Sequence, residues 1–234
     1  MPVIAFASPK GGVGKSTAAL ILATELAHRG AKVALLDGDP NQVMVEWGRL
    51  EGRPENVRVV GDISEDDMID VIEAHAAAFP FVVIDLEGSK NIKMSRSVGR
   101  SDLIVIPLQG SQLDANRALD AVAMIKSEEK AYRRPIPHFL LFTRTSPAIV
   151  TRDERYVREA MTENRVPCLA TPLHERAAYR ALFAFGGGLR DLPAGEVRNL
   201  AAAIENAEAF ASEILEVLAA AETDAAGGAA GGAG

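Results

Sequence analysis

The chain has 234 residues, 48% of them apolar and 24% charged, with a formal net charge of −7. That mixture can bury a core, which excludes an intrinsically disordered chain, and no uncharged apolar run approaches the roughly 18 residues of a membrane span. A single cysteine, Cys168, excludes an internal disulfide and any multi-cysteine site within one chain. The opening MPVIAFASPK has no secretory pattern, so a cytoplasmic protein is expected.

Short β-rich runs alternate with helical stretches. Val3–Ala7 reads as a buried strand, and Lys15–Arg29 as a helix stopped at Gly30. Lys32–Asp37 is a second strand, closed by the turn-rich DGDPN, and Gln42–Glu51 a short helix. Val57–Val60 follows as a strand, then Ser64–Ala78 as an amphipathic helix with Ser64 as N-cap. Phe81–Asp85 and Leu103–Leu108 are near-continuous apolar strands, followed by a helix over Leu113–Glu129 and a strand over Pro137–Thr143. Thr151–Glu163 predicts a helix, Val166–Ala170 a last short strand, His174–Phe183 a helix and Glu196–Ala221 a long Ala-rich helix. Apolar strands separated by helices predict a doubly wound α/β fold, a mostly parallel sheet with helices on both faces. One domain is expected over residues 1–221, with 222–234 as a flexible Ala/Gly-rich tail.

Lys10–Thr17 reads KGGVGKST, between the first strand and the first helix. That is the context of a phosphate-binding loop. Gly11, Gly12 and Gly14 let backbone N–H groups approach phosphate oxygens, and the helix N-terminus adds its positive dipole end. Lys15 is placed to contact the β- and γ-phosphates of ATP, and Ser16 to ligate Mg²⁺. Val13 and Thr17 complete the cradle. Asp37 and Asp39 end the second strand, where ligands bind in open α/β sheets. Asp85 closes FVVID, the pattern of a carboxylate that holds Mg²⁺.

Pro9 stands where the common loop has its first glycine, and Lys10 precedes the glycine pair. This resembles the deviant phosphate loop, xKGGxGK[ST], of the ParA/MinD family of ATPases, and the likeness extends over about residues 3–184. The resemblance implies a slow, partner-stimulated ATPase whose subunits sandwich two nucleotides, with Lys10 reaching the partner's phosphates. It makes Lys10, Lys15 and Asp39 the catalytic set, Asp39 orienting the attacking water, and Ser16, Asp39 and Asp85 the Mg²⁺ set. LLDGDPN resembles the family's DxDPQ motif, with Asn41 in place of glutamine. Leu86–Glu87–Gly88–Ser89 stands where a Thr-Pro or Gly-rich switch is usual, and Glu87 departs from it. By the same resemblance Thr143 and Pro172 are candidates for contacts to adenine.

TPLHERAAYRAL, residues 171–182, is similar to VirC-type DNA-transfer proteins, a ParA-like subgroup. The chain end lacks the basic amphipathic helix with which MinD-type members lie on membranes, so no membrane partner is expected. The family binds DNA non-specifically as ATP-bound dimers and answers to a ParB-like or cargo-adaptor protein, which implies nucleoid association. Between Lys126 and Arg198, thirteen Lys or Arg face nine Asp or Glu, whereas the rest of the chain carries a net −11. Arg152, Arg155, Arg158 and Arg180 are the candidate DNA contacts, the first three sharing a helix face. Two alternatives stand beside positioning of a plasmid, chromosome or protein cargo. One is a VirC-like scaffold at a DNA site, the other an ATP-dependent metabolic ligase on the same fold.

Overall fold

The computed structural model describes residues 1–88, 92–193 and 195–230, with the side chains of 224–230 left aside. Ser89 of the predicted switch lies outside the described residues.

Seven strands form one all-parallel sheet in the order β3-β2-β4-β1-β5-β6-β7. They are β1 (Val3–Phe6), β2 (Val33–Gly38), β3 (Val57–Val60), β4 (Phe81–Leu86), β5 (Leu103–Leu108), β6 (His138–Thr145) and β7 (Leu173–His174). Among the described residues, eight α-helices join and cover them: α1 (Lys15–His28), α2 (Val43–Gly48), α3 (Met68–Ala78), α4 (Ile92–Arg100), α5 (Gln112–Tyr132), α6 (Arg152–Glu163), α7 (Ala177–Phe185) and α8 (Leu200–Ala230).

The central strands are buried on both faces, which is why they read as unbroken apolar runs rather than as alternations. Alternate residues feed two cores. Ile4 and Phe6 pack with Leu20, Trp47, Leu182 and Phe210, so α1, α2, α7 and α8 cover one face. Val3 and Ala5 pack with Ile72, Val98, Ile125 and Val157, so α3 to α6 cover the other. The chain runs from β1 outward to β2 and β3, then returns through β4 and crosses β1 to reach β5. The loop after β1 therefore emerges where strand order reverses, the crevice in which such sheets take ligands.

The structure differs from the expected elements at several places. Val166–Ala170 forms only an isolated bridge, Leu140 to Cys168, and the edge strand is the two-residue Leu173–His174. Its pairing with β6 is interrupted by a bulge between Thr143 and Thr145. Helix α4 was not expected. Its sequence, IKMSRSVGR, offers only Met94 and Val98 as an apolar i,i+4 pair, with Ser and Gly between. Gly99 is required there because a Cβ would lie 2.2 Å from the Tyr132 ring. Finally, α3 starts at Met68, and Ser64 instead caps the preceding turn by accepting the Asp67 N–H at 3.1 Å. Helix α8 runs on to Ala230, past the boundary set by composition at 222.

Candidate nucleotide-binding site

The phosphate loop is built by backbone conformation and by three supports. Gly12 has φ 74° and Gly14 φ 93°, both left-handed, and α1 begins at Lys15 directly after Gly14. Thr143, at the end of β6, donates its hydroxyl to the Val13 carbonyl at 2.6 Å and lies 3.0 Å from that of Leu108. Gln109 donates to the Gly12 carbonyl at 3.2 Å. From the third side, Gly88 lies so close that a Cβ there would fall 2.9 Å from the Gly11 nitrogen. The glycine of the switch is thus a steric requirement of the loop.

Lys15 is buried and donates to the Lys10 carbonyl at 3.3 Å. Burial pushes its pKa down, against the opposing pull of Asp85, Asp39 and Glu87. Asp37 and Asp85 sit opposite one another in the β2–β4 register, and both are fully buried. They have different duties. Asp37 accepts the N–H groups of Met44 at 2.8 Å and Val45 at 3.1 Å, anchoring the start of α2, and a third from Asp39 at 3.2 Å. Burial outweighs these bonds and raises its pKa. Both oxygens of Asp85 are buried without a hydrogen-bond partner. Burial first, then the charges of Asp37 and Asp39, push its carboxyl up to about 7, against the lowering effect of the Ser16 hydroxyl and Lys15. An orphaned carboxylate beside Ser16 fits a hydrated divalent cation, whose water shell would supply the missing donors. Asp39 is only half-buried, and its Oδ1 accepts both the N–H (2.9 Å) and the side-chain amide (2.8 Å) of Asn41. Asn41, the departure from glutamine, therefore orients the very carboxylate expected to position water.

Two adjoining cavities flank the loop. The phosphate side, about 490 Å³, is bordered by the loop glycines, Lys15, Ser16, Asp39 and Glu87. The base side, about 240 Å³, is bordered by Thr143, Arg144, His174, Glu175, Arg176 and Tyr179 among others. Lys10 borders neither cavity. Its ammonium instead forms an ion pair with Asp114 at the start of α5, whose side chain is only 2% exposed. Ser111 caps the same helix, its hydroxyl accepting the Asp114 N–H at 3.2 Å and donating to Oδ2 at 2.6 Å.

The remaining expected residues are less uniform. Thr143 reaches the site, but its hydroxyl is committed to the loop rather than presented to a base. Pro172 does not border the base-side cavity, and its carbonyl accepts from Asn206 at 2.8 Å. Arg158 is held by Glu154 at 2.8 Å and covers the Phe142 ring at 3.9 Å. Arg180 pairs with Glu175 and borders the base-side cavity. Arg152 and Arg155 are exposed on α6. Sequence reasoning missed Gln109, Asp114 and Arg144. Only Asp114 had a legible signal, the S-x-x-D cap at Ser111 directly after an apolar strand.

A profile of the VirC1 protein family matches residues 1–220. The chain belongs to that family. The ParA protein of Rhizobium radiobacter is 42% identical over 218 residues, spanning 93% of this chain and 98% of the relative. The VirC1 protein of the same organism is 27% identical over 189 residues, spanning 78% and 80%. Among solved structures, a plasmid partition protein of Borrelia burgdorferi B31 bound to AMPPNP superposes with a TM-score of 0.68 at 18% identity, over 92% of this chain and 98% of that one. The family membership makes this a ParA-type ATPase with a VirC-like relation, and the fold is that of its P-loop members. Among the described residues, no helix is long and apolar enough to cross a membrane.

Proposed function

We propose that this protein is an ATP-dependent dimerising switch that binds DNA and positions a plasmid, chromosome or protein cargo. The observation that carries the reading is the placement of Lys10. It sits in the phosphate loop yet borders neither of its own cavities, and Asp114 holds it at the carboxyl end of the central strands. A lysine so placed is available to a facing subunit. Exposed Ile92 and Leu113 stand at the starts of α4 and α5, and Ile149 and Val150 just before α6, after strands β4, β5 and β6, and offer apolar area for such closure.

Within the site, Lys15 and the loop N–H groups would bind the phosphates. Ser16 and Asp85 would hold Mg²⁺, which when bound neutralises charge on the terminal phosphates. Asp39, oriented by Asn41, would position the attacking water. Loss of the terminal phosphoryl group would remove the partner's Lys10 contact, reopen the dimer and release DNA. Dimerisation would double a modest set of arginine contacts, Arg152 and Arg155 foremost, and so raise the affinity of an acidic chain for DNA and steepen its salt dependence. Co-sedimentation with DNA under ATP, ADP and no nucleotide tests this. Retention only with ATP, prolonged in Asp39→Ala, is expected, and indifference to nucleotide contradicts it.

The family match also favours a second reading, a VirC-like scaffold that recruits a complex to one DNA element. Footprinting separates the two: a protected sequence supports the scaffold, and uniform occupancy supports the non-specific switch.

A further inference from the structure

We infer that Arg144 is a nucleotide-binding residue, its guanidinium serving the α-phosphate and ribose shared by ATP and ADP. The inference rests on the nucleotide reading above and adds a contact to it.

Three residues border both cavities: Gly14, Thr17 and Arg144. A nucleoside polyphosphate lying from the phosphate side to the base side passes this junction with its α-phosphate and ribose. Gly14 and Thr17 can offer only backbone and a hydroxyl, so Arg144 is the cation at the junction. Of the two phosphate-loop cations, Lys15 is buried and turned to the Lys10 carbonyl, and Lys10 is paired with Asp114.

The backbone is shaped to present this side chain. Thr143 pairs with Leu173 and Thr145 with His174, leaving Arg144 as the extra residue of the bulge. Both threonines turn inward. Thr143 is bonded to the loop, and the Thr145 hydroxyl lies 2.8 Å from His174 Nδ1. Arg144 takes φ 52°, a left-handed conformation uncommon for arginine and unusual within a strand. Its side chain emerges 54% exposed, with Nε 3.7 Å from a Glu175 oxygen. That distance is too long for a strong hydrogen bond, so Glu175 steadies the guanidinium without occupying its donors. Strained backbone of this kind persists where surrounding contacts over-determine it and where the side chain it presents has a use. A guanidinium fork can donate two parallel bonds to phosphate oxygens, which a lysine cannot reproduce.

Calorimetric titration of the full chain with Mg²⁺ and either ADP or AMPPNP tests the inference, using Arg144→Gly, Arg144→Lys and Lys15→Ala beside the wild type. Arg144→Gly is expected to weaken both nucleotides equally, by roughly tenfold or more. Arg144→Lys should fall between. Because the α-phosphate contact is made before and after hydrolysis, KM should rise while kcat at saturation stays near wild type. Glycine also relieves the left-handed backbone, so the nucleotide-free melting temperature should not fall, which separates a lost contact from a damaged fold. Unchanged affinity for both nucleotides in Arg144→Gly overturns the inference, and loss confined to AMPPNP overturns it by moving the contact to the γ-phosphate. If the wild type binds neither nucleotide, and Lys15→Ala behaves identically, the nucleotide reading fails first.

Discussion

The two ends of the nucleotide cleft are built on different plans. At the phosphate end, the cleft is formed by loop backbone, a buried lysine and carboxylates at strand ends, all fixed by secondary structure. At the base end, side chains from β6, β7, the link that follows it and α7 converge: Thr143, Arg144, His174, Glu175, Arg176 and Tyr179. The loop at the first end is contiguous in sequence and its glycines are dictated by conformation. The second is assembled across a bulge that no periodicity announces. Chemistry carried by the backbone leaves a motif, whereas chemistry carried by converging side chains leaves composition.

The contrast can be broken most forcefully at the phosphate end. Replacing Asp39 with Ala should lower steady-state ATP hydrolysis by about 10² or more, the scale of a lost general base or water-orienting group, while ATP binding survives. A phosphate-release assay beside a binding assay measures both. If binding falls with turnover, Asp39 acts on the ground state instead.

Thr143→Val tests whether the base-end strand holds up the phosphate end. It removes the donor to Val13, and a buried carbonyl left unpaired costs about 1–3 kcal/mol. Thermal unfolding should show that loss together with weaker nucleotide binding, although no base contact is removed. Unaltered binding would make Thr143 a bystander to the nucleotide.

The arginines of α6 sharpen the comparison at the surface. Arg152→Ala with Arg155→Ala should weaken DNA retention in the ATP state uniformly across sequences, and lower the salt slope by roughly 0.9 per phosphate contact removed. Arg158→Ala should instead lower stability, because its guanidinium covers Phe142 and its partner Glu154 is buried. Salt-dependent filter binding and thermal unfolding separate the two outcomes.

A last effect is one of pH. The Asp85 carboxyl is raised from an unfolded value of 3.8 to about 7, chiefly by burial. Between those values the folded chain keeps a proton that the unfolded chain has lost, so stability falls as pH rises through this window. Asp85→Asn should remove that slope in nucleotide-free and Mg²⁺-free protein, and unfolding midpoints across pH 4–8 would show it. An identical slope in the variant would assign the pH response to other groups.

Much of the architecture was legible because both-face burial makes the central strands plain in sequence, from VIAF through LIVIPL. The edge was not. At the edge, a two-residue strand carries too few residues for a pattern, and VPCLA looked apolar enough to replace it. The phosphate loop, Asp85 and the Lys10 departure could be read directly. Asp37 could not be assigned from sequence alone, since anchoring α2 and shaping a metal shell demand the same residue at the same strand end. Arg158 and Arg180 looked equivalent to Arg152 and Arg155 by spacing and charge. Only packing distinguishes the side chains already paired from those facing solvent.

The account's central claim is that ATP joins two subunits through Lys10. Sedimentation velocity of Asp39→Ala with saturating ATP and Mg²⁺, with and without Lys10→Ala, measures it most directly. The account predicts a dimer for Asp39→Ala alone and a monomer for the double variant that still binds ATP. A dimer that persists without Lys10, or a monomer in both, contradicts it.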